Sequence, residues 1–485
     1  MSQTASIPFS AGQGSSLDEL SGASPRLRNF LIDAADALHV RPGIGTWSDF
    51  PTVIPNASPV IGIYPWRQYV IYVCEDRTLW AWVASGLVQP LSNTTAATKL
   101  DGTGRPVFTY DALRVAVTGG GAPQQWQGVG LSARLAPAAI APDGSGLTLT
   151  HIAYAGSSFI GNVNSSSGYL VWTPTLPGNH TSWPVVGPYY AEAEVAPDRI
   201  IAVYASGDEV FTFGTETTQV YIPDSQVGFA VTAAIQIGSS AAFSVIAAKD
   251  GIFEWLDDSR RFVSSNGRGF DVVSSPAMTG TIKALGTVSD CWGANMMIGP
   301  WDLLVWSFPT EERCFWRDKD SGKWGEFSTA DANGEPGAWV PTSYAYLPAT
   351  NTHLIGLASG KIGVLTAEAA TDDGATIIAD AITGFQDRGS FVHKTCDRVQ
   401  IQVRRRAPVL TGTDPVFEYR YRDTLGAWKT RRRRSLAAPS LQPVVDLGWS
   451  LGQYRQRQHW LSFSGGSGFT MTGATETYTV EEEAS

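Results

Sequence analysis

The 485-residue chain contains few residue groupings that could carry out chemistry. Its six histidines stand at positions 39, 151, 180, 353, 393 and 459. None forms an HxH or HExxH pair, so no metal ligand set is expected. Cys74, Cys291, Cys314 and Cys396 make no CxxC pair and read as reduced, buried thiols. There is no GxSxG elbow and no GxxxxGK(S/T) phosphate loop. Gly119-Gly120-Gly121 lies between strand-like segments and reads as a hairpin turn rather than a phosphate cradle. Glycoside hydrolysis needs two carboxylates across a cleft. Glu192 with Glu194, and Asp257 with Asp258, qualify by residue type alone, and solvated loop acids account for them more simply. No catalytic constellation and no cofactor are expected.

Arginines are the informative polar feature. Arg404, Arg405 and Arg406 end one strand-like segment, and Arg420 and Arg422 share one face of the next because strand side chains alternate. Arg431, Arg432, Arg433 and Arg434 follow a turn, and Arg455 and Arg457 alternate on a further strand. Edge-strand charges commonly block aggregation. Here, however, residues 387–485 hold 15 basic against 10 acidic residues, while residues 1–386 hold 20 against 35. The net charge of −10 is therefore −15 on the first part and +5 on the second. Such a step marks a domain boundary and predicts an interaction surface for an acidic partner, protein or nucleic-acid phosphate.

The elements that must hold these residues are strands. The chain has 50 Gly, 28 Pro and 53 aromatic residues, yet only 16% charged residues against the usual ~25%. With 43% hydrophobic residues the chain can bury a large core, which argues against disorder. The first residues, MSQTASIPFSAGQGSS, read against a secretory leader, and no apolar run approaches the ~18 residues of a spanning helix.

Alternation of period two recurs as a strand–turn–strand unit. The units begin at Tyr69, Arg114, Phe159, Glu209, Ala242, Leu303 and His353, at a mean interval near 47 residues. A β-propeller blade has this length and cannot bury both of its faces alone. The predicted fold is all-β: a six- or seven-bladed β-propeller over 46–370, followed by a basic β-sandwich-like domain over 371–485. An extended N-terminal arm, 1–45, precedes them. In the arm Leu27, Phe30, Leu31, Ala34 and Leu38 have helix-like spacing, with an extended reading in competition. In the last domain Val399, Ile401 and Val403, and then Phe417, Tyr419 and Tyr421, alternate with polar partners.

Three segments together resemble a known family. These are the Arg41-Pro42-Gly43 step after RNFLIDAADALHV, the stretch PDRIIAVYASGDEVFTFGTETTQVYIP, and the closing YRQRQHWLSFSGGSGFTMTGATETY. The chain resembles the tail nozzle, or packaged DNA stabilisation, proteins of short-tailed bacteriophages. It departs from them at Asp423–Trp428, where a second glycine is missing. In the family the segment matching residues 25–40 is extended. The resemblance implies a non-enzymatic virion protein, made in the host bacterial cytoplasm, that forms a hexameric ring below the portal and its head-to-tail adaptor. Such a ring would extend the DNA channel, retain packaged double-stranded DNA without sequence specificity, and anchor tail fibres or spikes and a needle or plug. No membrane insertion is implied. The alternative reading is a propeller glycoside hydrolase or carbohydrate-binding module.

Overall fold

The computed structural model describes residues 2–10, 26–47, 58–83, 88–91, 99–126, 133–134, 146–164, 168–174, 183, 189–192, 198–249, 251–331, 335–405, 415–423, 426–429, 432–435, 444–465 and 469–481. Among them, the one α-helix is α1 (Pro276–Lys283), and nearly everything else regular is strand. Four-stranded antiparallel sheets follow one another at 60–90, 107–134, 149–192, 200–235 and 246–272. A sixth occupies 292–326, and the seventh is built on 341–366. These are seven propeller blades.

The seven second strands begin at Tyr69, Val115, Ser158, Glu209, Ile252, Trp301 and Thr352, at intervals of 43 to 51 residues. The unit starting at Ala242 looked out of step because it contains the first and second strands of its blade, whereas the other units contain the second and third.

Six of the seven blade junctions have an apolar cluster of their own, and the junction of blades six and seven runs into the core shared with the C-terminal strands. Trp66 and Trp126 meet at 5.6 Å between blades one and two. Phe211 and Phe253 meet at 4.7 Å between blades four and five, and Phe262 and Trp306 at 4.3 Å between five and six. A further cluster joins blade seven (Ala345, Leu347, Leu354) to blade one (Val60, Tyr72, Trp80), which closes the ring. A buried Phe, Tyr or Trp removes roughly 150–250 Å² from water, a gross gain of about 4–6 kcal/mol at ~25 cal/mol per Å². Aromatic residues therefore suit these wedge-shaped gaps, and their abundance is a property of the repeat.

The arm is woven through both domains. Strands β1 (Ser2–Ser6), β2 (Arg26–Arg28), β3 (Phe30–Ile32), β4 (Leu38–Val40) and β5 (Gly43–Thr46) make the arm extended, as predicted, and exclude the competing helix suggested by the spacing of Leu27 to Leu38. Asn29, at φ 56°, breaks the chain between β2 and β3, so that the neighbours Phe30 and Leu31 are both buried, in strand rather than helix. Asp33 accepts from the amides of Ala35 (2.8 Å) and Ala37 (2.9 Å) and shapes the turn into β4. Strand β5 pairs with Ile362–Thr366 as the fourth strand of blade seven. A Cβ at Gly43 would lie 2.6 Å from the carbonyl oxygens of Ala369 and Thr371, which explains the glycine after Arg41-Pro42.

The C-terminal strands are β6 (Ile378–Ile382), β7 (Lys394–Arg405), β8 (Val416–Asp423), β9 (Arg432–Ser435), β10 (Val444–Tyr454), β11 (Arg457–Ser464) and β12 (Phe469–Val480). One sheet runs β3-β4-β12-β7-β10, with β1 on β12. The other runs β2-β6-β11-β8-β9 and continues through β2 into the outer strand of blade six, Trp324–Glu326, making nine strands in all. Val399, Ile401, Phe417, Tyr419, Leu461, Phe463 and Phe469 fill the space between the sheets. The propeller and the sandwich thus share one continuous sheet and one core.

Candidate interaction surface

Alternation in the second sheet decides where its charges go. The cross-strand pairs Arg28↔Asp380, Asp380↔Ser462, Glu418↔Ser462 and Glu418↔Arg433 form one row on its outer face. Arg26↔Ile382, Ile382↔Trp460 and Arg420↔Trp460 form the next row on the same face. On that face the Trp460 ring lies between two guanidinium groups, Arg420 at 4.6 Å and Arg26 at 5.8 Å. Trp428 meets Trp460 edge-on at 5.2 Å, and Arg422 sits 4.8 Å from Trp428 and 5.5 Å from Phe385. Arg422 also donates from Nε to Gln458. Each such cation–π contact contributes about 0.5–1 kcal/mol when exposed and more when dry. The result is a ladder of alternating guanidinium and indole groups on a rigid sheet.

Toward blade six the same face becomes ionic. Asp380 receives Arg28 at 3.4 Å and Arg26 at 3.6 Å, and Glu326 pairs with Arg313 at 2.5 Å and with Arg28 at 3.9 Å. Burial pushes the Asp380 carboxyl above its usual range, against the pull of Arg28 and Arg26. These pairs bind the propeller to the sandwich. The ladder beyond them carries the surplus of positive charge.

The expected arginines do not share one surface. Arg420 and Arg422 lie on the ladder face, and Arg433 joins it by register opposite Glu418. Arg432 and Arg434 alternate to the inner side of the edge strand β9, where Arg434 donates from Nε to the Asp446 carbonyl at 3.2 Å and bridges the two sheets. Arg404 is exposed on the first sheet, whose inner face carries Val399, Ile401 and Val403. Arg405 ends β7, and Arg406 and Arg431 lie outside the described residues. Arg455, exposed in the turn between β10 and β11, hydrogen-bonds His393 at 3.1 Å.

Arg457 is no surface residue. It is fully buried, bound to Asp423 at 2.7 Å, 3.6 Å from Glu476, and held between the rings of Tyr421 (4.4 Å) and Tyr454 (4.2 Å). A strand that passes into the core takes its charge with it, and that charge must be paired there. Sequence reasoning missed Arg26, Trp428 and Trp460. Their signal was the indoles interleaved with basic residues, which only the pairing of distant strands brings together.

Of the candidate acids, Asp257 is fully buried and holds Arg261, accepting at 2.6 Å from its amide and at 2.8 Å from Nε. It is a turn brace rather than the solvated loop acid expected. Asp258 and Glu192 are exposed, and Glu194 lies outside the described residues. The four cysteines are free and buried. No group of three or more metal-ligating side chains occurs among the described residues. Among those residues no helix is long and apolar enough to cross a membrane.

A seven-bladed propeller joined to a β-sandwich through one sheet is the class that the fold defines. No known family profile and no curated protein matches the chain. Among solved structures it is similar to the computationally designed Ika8 protein, with TM-score 0.38, 13% identity, and coverage of 73% of this chain and 98% of that one. It is also similar to the extracellular domain of a hybrid two-component system from B. thetaiotaomicron, with TM-score 0.44 and 9% identity. That match covers 84% of this chain and 47% of the other, so this chain spans about half the length of that structure.

Proposed function

We propose that this chain is a structural subunit of a bacteriophage tail, forming a hexameric nozzle ring that docks below the portal adaptor and extends the DNA channel. In this reading it is no enzyme. The observation that carries the proposal is the nine-stranded sheet, which joins blade six to the sandwich without a hinge and displays the Arg420–Trp460–Arg26 ladder on one face. A subunit that must hold its shape while DNA leaves a pressurised head needs such a join. A closed ring needs two unlike complementary patches on each copy. The net charge of −15 on residues 1–386 and +5 on residues 387–485 supplies opposite signs for such contacts. The resemblance in the Arg41–Gly43 step, the 197–223 stretch and the closing strands supports the same reading. The propeller loops would carry fibres, spikes or a needle. Light-scattering mass measurement of the purified protein, alone and mixed with an adaptor ring, tests the proposal: the expected mass is six subunits on the adaptor.

A further inference from the structure

The axis of the propeller holds a cluster that neither the ring contacts nor the sandwich accounts for. The first strands of the blades run side by side around this axis. Six blades bring side chains to it. Arg105 precedes the first strand of blade two, His151 and Tyr204 lie on those of blades three and four, and Phe243 leads into blade five. Trp292 opens blade six, and Thr342 lies at the start of blade seven.

Arg105 crosses this space. From blade two its guanidinium lies 4.4 Å from the Trp292 ring of blade six and donates to the Thr342 carbonyl of blade seven. Among the described residues that is its only hydrogen bond, and no carboxylate faces it. Its polar neighbours are Cys291 and Tyr204, and burial raises the pKa of both, so both are neutral and leave the charge uncompensated. Burial brings the Arg105 pKa down to about 10, which still leaves it a cation. The Tyr204 hydroxyl makes no hydrogen bond among the described residues, although its ring packs on Phe213, Phe253 and His151. The His151 ring meets Phe243 at 4.8 Å in a tilted contact, and burial holds it neutral, with a pKa of about 3. A cation with unused donors, a free phenol beside it and aromatic walls make half of a carboxylate site.

We propose that this axial cluster binds a small monocarboxylate with an aromatic body. The carboxylate lies on Arg105 and accepts from the Tyr204 hydroxyl, and the body packs against Trp292, Phe243 and His151. One positive charge matches one carboxylate, and the neutral histidine leaves no second cation for a dianion. The site serves each propeller separately and does not depend on ring assembly.

The test is calorimetry and thermal denaturation of the full chain with benzoate, benzyl alcohol and inorganic phosphate. Benzoate should bind and raise the melting temperature, and the other two should not. Arg105→Met should weaken benzoate binding at least tenfold, while the ligand-free variant melts no lower than the parent because a half-buried charge with no carboxylate partner is gone. Tyr204→Phe should weaken binding several-fold, and Arg67→Met, at an exposed guanidinium over Trp66, should leave it unchanged. The proposal is overturned if benzoate has no effect, if benzyl alcohol or phosphate equals it, or if both Arg105→Met and Tyr204→Phe bind benzoate like the parent.

Discussion

Arg41 and Asp372, 331 positions apart, form a fully buried, two-pronged ion pair that ties the arm to the segment leaving blade seven. Three further hydrogen bonds complete it: Asn29 Oδ1 accepts from Arg41 Nε at 2.8 Å, the Ser328 carbonyl accepts from the same guanidinium at 2.9 Å, and the Thr329 hydroxyl donates to Asp372 at 2.9 Å. The rings of Phe327 and Trp339 lie 5.5 and 5.8 Å from the guanidinium. Removing one partner leaves a buried charge alone, which costs about 3–5 kcal/mol. Asp372→Ala should therefore lower the unfolding free energy in urea by that amount. A loss below about 1 kcal/mol would show that the arm is held by its strands alone.

Asp198 organises the turn at 215–217. Its two oxygens accept from the amides of Thr215 (2.9 Å), Glu216 (2.9 Å) and Thr217 (2.8 Å) and from the hydroxyls of Thr215 (2.6 Å) and Thr217 (3.1 Å). Burial pushes its pKa up, but these bonds outweigh burial and hold it below the ordinary carboxylate value. A lowered folded-state pKa contributes stability above the unfolded value of about 3.9, and that stability disappears as pH falls through the folded value. Asp198→Asn should destabilise at pH 7 by about 2–3 kcal/mol, and its deficit relative to the parent should shrink below pH 4. Denaturant titrations at pH 7 and pH 3 measure both.

Two histidines predict a second acid response. His459, fully buried and bonded to the Tyr419 hydroxyl at 2.9 Å, is pushed down to about 3 by burial, as is His151. Their folded forms stay neutral where the unfolded chain takes up protons below about pH 6.5. Stability should therefore fall as pH drops from 6.5 toward 3. His459→Gln should make that slope shallower by up to about 1.4 kcal/mol per pH unit. An unchanged slope would mean that His459 is protonated in the folded protein.

The guanidinium–indole ladder should act in assembly chiefly through charge. Replacing Arg420 and Arg422 by Ser should weaken ring or adaptor association most at low salt. The difference from the parent should narrow toward 1 M salt, where the Debye length is about 3 Å. Sedimentation at several salt concentrations reads this directly, and equal assembly at every concentration would reduce these residues to edge protection.

The β-class, the repeat and the C-terminal alternation were legible because period-two patterning is local: Val399, Ile401, Phe417 and Tyr419 face the core as their spacing required. The arm was legible only in part: an extended reading stood beside a helical one, and the pairings that decide between them, such as Ala381 opposite Leu27 and Met471 opposite Leu38, lie more than 300 positions away. The arginine surface was half legible. Alternation placed Arg420 and Arg422 together, but which face Arg432 takes, and that Arg457 enters the core, depend on strand pairing and on the Tyr421, Tyr454 and Glu476 neighbours. The axial cluster was invisible, since its members come from six blades.

Whether copies of this chain form a nozzle ring is decided by electron-microscopic projections of the purified protein bound to an adaptor ring. The expected projections are six-fold, with a central channel wide enough for duplex DNA. Monomers at every concentration, with no density added to the adaptor, would contradict the nozzle ring.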